Sequence, residues 1–268
     1  MSKYQILDYD LVDDLCLISG NIDAISRNIS PVRAEKLGPV LELLHIKSKE
    51  ADVLIRSLAL DKSRFSSIIP QIFRNEMHSR YSMGKQSLGL SSIERLGESS
   101  NWTKFAIDVK AATVASGFSV AASAEIVAAI GEFFSNVLEH SKNSETGYVA
   151  YSGEEGTFEF VVADSGIGVL QSLKSNPAFT KLADSGRAIE LALTEGISSS
   201  EQEGRGHGFR PVFVGLANIS DELRFRSGDH GHMVRRTNAG GIDARTIQLA
   251  NLNGFFCSVV CSLQARLF

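Results

Sequence analysis

Apolar positions recur most regularly between residues 123 and 141, in "SAEIVAAIGEFFSNVLEHS". Ile126, Ile130, Phe133, Phe134, Val137 and Leu138 fall at helical spacing, with Ser123 placed as an N-cap, so a buried helix is predicted. The pattern then changes period: "YVAYS" and "TFEFVVA" flank "GEEG" as the two arms of a hairpin. Nearer the end, "ELRFRS", "TIQLANL" and "FFCSVVCSL" predict further strands, the last apolar on both faces and therefore interior to a sheet. Residues 1 to about 83 read instead as short helical pieces. "SPVRAEKL" puts Ser30 at an N-cap and Pro31 at the first helical position. Gly38 and Pro39 interrupt, helical spacing resumes in "VLELLHIKSKEADVLIRSLAL", and Pro70 divides "SRFSSIIPQIFRNEM". The Ser- and Gly-rich stretch 82–101 is the expected connection between a helical region, 1–100, and a mixed α/β region, 101–268.

Composition narrows the class. A chain of 268 residues forms one large or two modest domains, and 43% hydrophobic with 22% charged residues can bury a real core. A formal net charge of −4 argues against nonspecific binding to nucleic acid or to an anionic membrane. Cys16, Cys257 and Cys261 are not clustered as metal ligands, and the last two are expected to pack as small apolar residues in a strand. No apolar run approaches a membrane span and the N-terminus lacks a signal-peptide pattern, so a cytoplasmic location is expected.

Three groups of residues carry candidate chemistry. Glu132, Asn136 and His140 follow at four-residue steps and share one helix face. They form either a solvent-facing stripe or a site whose hard oxygens suit a hydrated magnesium ion, with a carboxylate able to orient and deprotonate water. "VVADSGIG" ends an apolar strand in Asp164 and spaces Gly166 and Gly168 after it. That is either an ordinary turn or a place where backbone approaches a flat ligand while the carboxylate accepts from an exocyclic amine. "EGRGHGF", residues 203–209, alternates Gly204, Gly206 and Gly208 before a helical pattern with Pro211 in its first turn. It reads as a flexible surface loop or as a phosphate cradle; it is not a Walker A loop and not a dinucleotide fingerprint. His230 and His232 are expected to be surface polar residues rather than metal ligands.

The order of these motifs resembles the GHKL superfamily of gyrase, the heat-shock chaperone, histidine kinases and MutL, over roughly residues 104–268. The resemblance implies an α/β (α+β) two-layer sandwich of the Bergerat ATP-binding type, a mixed, mainly antiparallel sheet with helices on one face. It implies ATP or ADP and Mg2+ as cofactors: Asn136 would hold magnesium, and Glu132 would be the base for water or for a phospho-acceptor. Asp164 would meet the adenine amine, Gly166 and Gly168 would give the base room, and Gly204, Gly206 and Gly208 would wrap the phosphates. His140, Arg205 and His207 would add nucleotide contacts, and residues 170–203 would form a mobile lid. Two features depart from the pattern: Glu139 stands where such kinases often carry a basic residue, and residues 226–254 read as a long insertion. Neither His45 nor His78 has the acidic neighbour of a phospho-accepting histidine, so the layout is most similar to stand-alone histidine-kinase-like ATP-binding proteins. The resemblance implies an ATPase or protein kinase acting on a protein partner, or a nucleotide-dependent binding switch with little turnover. It allows a homodimer and involves neither nucleic acid nor membrane.

Overall fold

The computed structural model describes residues 5–17, 32–46, 65, 78–98, 100–195, 220–237 and 239–263. Its centre is a six-stranded sheet: β3 (His78–Met83), β4 (Gln86–Ser92), β5 (Tyr148–Glu154), β6 (Thr157–Asp164), β7 (Ser220–Arg236) and β8 (Ile242–Ser262). The strands run in the order β3-β4-β5-β6-β8-β7, and every pairing is antiparallel. The parallel pairing lies apart, between β1 (Gln5–Leu7) and β2 (Val32–Ala34).

The β5–β6 hairpin forms as the sequence predicts, turning through Glu155 and Gly156, the latter with φ 77°. Over 82–92 the Ser- and Gly-rich stretch is largely strand. It folds into the β3–β4 hairpin, and β4 pairs with β5 from Ser87↔Gly153 to Ser92↔Tyr148. The physical reason is packing: a side chain at Gly89 would collide with the Tyr151 ring, while Ser87 and Ser91 are buried. The sheet therefore continues across the compositional change near residue 100. The expected insertion at 226–254 is likewise strand, since β7 and β8 stay paired from Gly228↔Leu252 to Arg236↔Ile242. In it His230 Nδ1 lies 2.9 Å from Asp229 Oδ1 and His232 Nδ1 lies 3.0 Å from Thr246 Oγ1. Both rings are partly buried, and no metal-ligand group of three occurs among the described residues.

One face of the sheet carries α3 (Ile93–Gly97), α4 (Asn101–Ala115) and α5 (Val120–His140). The cap of α5 is Ser119, whose Oγ accepts from Ala122 N at 3.2 Å; Ser123 is buried one turn in and donates to Ser119 O at 2.9 Å. The cap thus lies four residues before the expected one, because the buried face continues through Ala122. Ile126, Ile130, Phe133 and Val137 pack on Phe158, Phe160 and Val162, and Trp102 stacks on Phe134 with centroids 4.7 Å apart. The 21 residues of α5 are long and apolar enough to cross a membrane, yet here its apolar face forms the core. The expected sandwich is therefore present.

The opposite face is also covered, by α1 (Tyr9–Leu17), α2 (Leu37–Ile46), β1 and β2. The predicted helix at "SPVRAEKL" is not formed over 32–34, which is strand; Ser30 and Pro31 lie outside the described residues. Gly38 and Pro39 do not interrupt a helix but begin α2, where proline is tolerated in the first turn and a side chain at Gly38 would strike Tyr9 and Ser258. Residues 47–64 and 66–77, where further helix was expected, lie outside the described residues.

Charge fixes this second layer to the sheet. Glu159 of β6 accepts from Leu37 N and Gly38 N, both at 2.6 Å, and so caps the positive end of α2. Glu42 of α2 is wholly buried and accepts from Arg224 Nε and Nη2, each at 2.7 Å, and from Arg226 Nη1 at 2.6 Å. Asp13 of α1 closes the cluster, 2.5 Å from Arg224 Nη2. Burial works against the charge on Arg224, but the attraction and hydrogen bonds of Glu42 and Asp13 together outweigh it and keep the guanidinium firmly protonated.

Candidate functional site

The C-terminal end of α5 and the end of β6 are tied together by one serine. Ser141 follows the helix, donates through Oγ to Asp164 Oδ1 at 2.8 Å, and accepts from Ile167 N at its carbonyl at 2.9 Å. Gly166 N also donates to Asp164 Oδ1, at 2.6 Å. The carboxylate is 2% exposed. Loss of water pushes its pKa up to about 6, and the two hydrogen bonds only partly oppose that.

The glycines of "DSGIG" are demanded by protein neighbours. A side chain at Gly166 would collide with Ser141, and Gly168, at φ 72°, opens α6 (Gly168–Lys174) with Ser227 Oγ only 2.7 Å from where its Cβ would lie. Both glycines pack closely against Ser141, Ser227 and Gly254. Three residues that sequence reasoning passed over complete this clamp. Ser227 accepts from Val169 N at 2.9 Å and donates to Gly254 O at 2.8 Å, and Gly254 has no room for a side chain against Asp164 O. Ser141 was adjacent to a highlighted helix, but Ser227 and Gly254 carry no local signal, being brought in by strand pairing.

Glu132, Asn136 and His140 share a face of α5 as expected. Glu132 is exposed and Asn136 partly buried, and Asn136 Nδ2 donates to Glu132 O at 2.8 Å. That bond commits the amide nitrogen to the helix and leaves Oδ1 for a cation. The His140 ring is partly buried, which lowers its pKa against the pull of Glu139, whose carboxylate is 3.9 Å away. From Ser141 back to Glu132 the helix advances about 14 Å along its axis at 1.5 Å per residue, roughly the reach of an extended nucleoside triphosphate. A single amide oxygen beside a nearby carboxylate fits magnesium, which keeps waters and takes substrate oxygens, and does not fit an ion needing an all-protein cage.

The glycine loop falls outside the described residues, so Gly204, Arg205, Gly206, His207 and Gly208 are not placed against this site. Of the expected lid, 170–203, residues 170–195 are described. That part is helical, with α6, a short 3-10 turn at Pro177–Phe179 and α7 (Ser185–Glu190). Leu173, Ala188, Ile189, Leu191 and Leu193 join the core, which fixes these helices to the sheet. Residues 196–203 lie outside the described residues.

A family model for the histidine kinase-like ATPase domain matches residues 101–238, just over half of the chain. The chain belongs to this family. No curated protein matches it. The histidine kinase-like ATPase match takes in α5, the Asp164 turn and residues 204–208, and it ends near the tip of the β7–β8 hairpin. ATP binding follows from membership. The match begins at residue 101, although β3 and β4 complete the same sheet.

Proposed function

We propose that the chain binds Mg-ATP along α5, with the base at Asp164 and the phosphates toward Glu132, and hydrolyses it or passes phosphate to a separate protein partner. The carrying observation is the Ser141–Asp164 bond, which joins a buried carboxylate to the end of the helix bearing Asn136 and Glu132. Ser141 and Gly166 occupy Asp164 Oδ1, which leaves Oδ2 to accept from an adenine amine. Asn136 Oδ1 would hold magnesium, which when bound neutralises the phosphate oxygens. Glu132, exposed to solvent, would take the proton of an attacking water or acceptor hydroxyl. His140 would stand beside the nucleotide, and Gly204, Gly206 and Gly208, with Arg205 and His207, would wrap the phosphates. A cytosolic setting and a protein acceptor go with this reading. The exposed carboxylate of Glu139, beside His140, favours the alternative of a nucleotide-dependent switch, since it adds negative charge at the site.

Binding and phosphate release measured together test the reading. Wild type should bind Mg-ATP. Asn136→Ala should lose magnesium-dependent affinity, while Glu132→Ala keeps affinity and loses about a hundredfold or more in turnover. Absence of ATP binding by wild type at millimolar nucleotide would sink the assignment of the site. Binding with no turnover, whatever partner is supplied, would select the switch.

A further inference from the structure

We propose that the N-terminal layer is the rear wall of the nucleotide site, with His45 as a positioning residue for Asp164. The proposal rests on Asp164 reading the base.

Asp164 does not set its own position. It ends β6 in register with Phe255 of β8, and Gly254, at φ 76°, passes so close that only glycine fits against Asp164 O. The Gly166 amide, which holds the carboxylate, is 2.7 Å from where a Cβ on Gly254 would lie. Whatever holds residues 253–255 therefore holds the base-reading carboxylate.

His45, in the last turn of α2, reaches this crossing from the far side of the sheet. Its Nε2 lies 3.2 Å from Asn253 O, next to the glycine that packs against Asp164 O. The ring tilts against Tyr148 at 6.1 Å and Phe256 at 6.3 Å between centroids, which limits its rotation. Burial lowers its pKa, so at neutral pH it is an uncharged imidazole with one N–H to donate. Three residues earlier on the same helix, Glu42 is locked by Arg224 and Arg226, and Glu159 caps the helix start. His45 thus projects from a helix anchored at two other points. The layer on the sheet face opposite α5 in this way fixes the other end of the nucleotide.

The test uses the full chain, with calorimetric affinities for Mg-ATP and Mg-GTP. His45→Phe keeps a ring between Tyr148 and Phe256 but removes the donor. His45→Gln removes the ring but can place an amide N–H near the position of Nε2. Val40→Ala, buried on the same helix five residues before His45, reports general weakening of the layer. Losing one neutral hydrogen bond corresponds to a change of about two- to tenfold. His45→Phe should weaken ATP binding by that factor and narrow the preference for adenine over guanine. His45→Gln should restore most of both, and Val40→Ala should lower the melting temperature while leaving affinity and preference alone. The proposal is overturned if His45→Phe binds both nucleotides as wild type does. It is equally overturned if Val40→Ala reproduces the loss, or if Gln fails to rescue. Wild type that binds no ATP would instead remove the nucleotide-site reading, and this proposal with it.

Discussion

Both faces of the central sheet bury hydrocarbon, but only one of them buries charge as well. Toward α5 the contacts are hydrocarbon and aromatic, with Ile126, Ile130 and Phe133 on Phe158, Phe160 and Val162. Toward α2 the sheet presents Arg224 and Arg226, both fully buried, and meets them with Glu42 and Asp13. Apolar contacts lose value gradually as methylenes are removed, whereas a buried ion pair fails abruptly when one partner goes. The first face tolerates variation. The second accepts one partner arrangement, and so specifies where the N-terminal layer sits.

The largest effect should come from breaking the ionic face. Glu42→Ala leaves two buried guanidinium groups with Asp13 alone, at an expected cost of about 3–5 kcal/mol in denaturant unfolding. Replacing Asp13, Glu42, Arg224 and Arg226 together with Leu, Leu, Met and Met should cost far less. If the single and quadruple variants unfold alike, the contrast between the faces is wrong.

Next in size is Asp164→Asn, where the two faces meet the site. A carboxyl whose folded pKa is raised contributes stability that is fully present below its unfolded value and lost as pH rises through the folded one. The interval from 3.8 to about 6 corresponds to about 3 kcal/mol. Asparagine does not ionise, so the variant should be more stable than wild type above pH 6, with the gap closing toward pH 4. Its nucleotide affinity should fall about ten- to a hundredfold. Melting curves across pH and calorimetry check both signs; a gap independent of pH would show that ionised Asp164 is not a source of strain.

A smaller change probes the apolar face: Ile130→Val should cost about 0.5–1.5 kcal/mol by denaturant unfolding and leave nucleotide binding intact. Smallest is the exposed pair between Arg80 and Asp108, 2.6 Å apart at the sheet edge. Arg80→Ala should change stability by less than about 1 kcal/mol, and still less in high salt. A cost near that of Glu42→Ala would erase the distinction between buried and surface ion pairs in this fold.

What the sequence determined by itself is whatever depends on local period and order. The apolar spacing from Ile126 to Val137 specified α5, "GEEG" between two alternating runs specified the β5–β6 hairpin, and Asp164 before spaced glycines marked the site turn. The order of those motifs along the chain led to the family. Tertiary structure alone decided the rest, because the deciding partners are far apart in sequence. The stretch 82–92 became strand because β5 offered it hydrogen bonds and Tyr151 filled the space over Gly89. Arg224 and Arg226, which alternate in "ELRFRS" as solvent-facing residues would, are buried because Glu42 arrives from 182 and 184 residues away. Ser141, Ser227 and Gly254 became the clamp on Asp164 in the same way. Periodicity reports how a segment divides its own faces, but which face ends in water, in hydrocarbon or against an opposite charge is set by the element that packs on it.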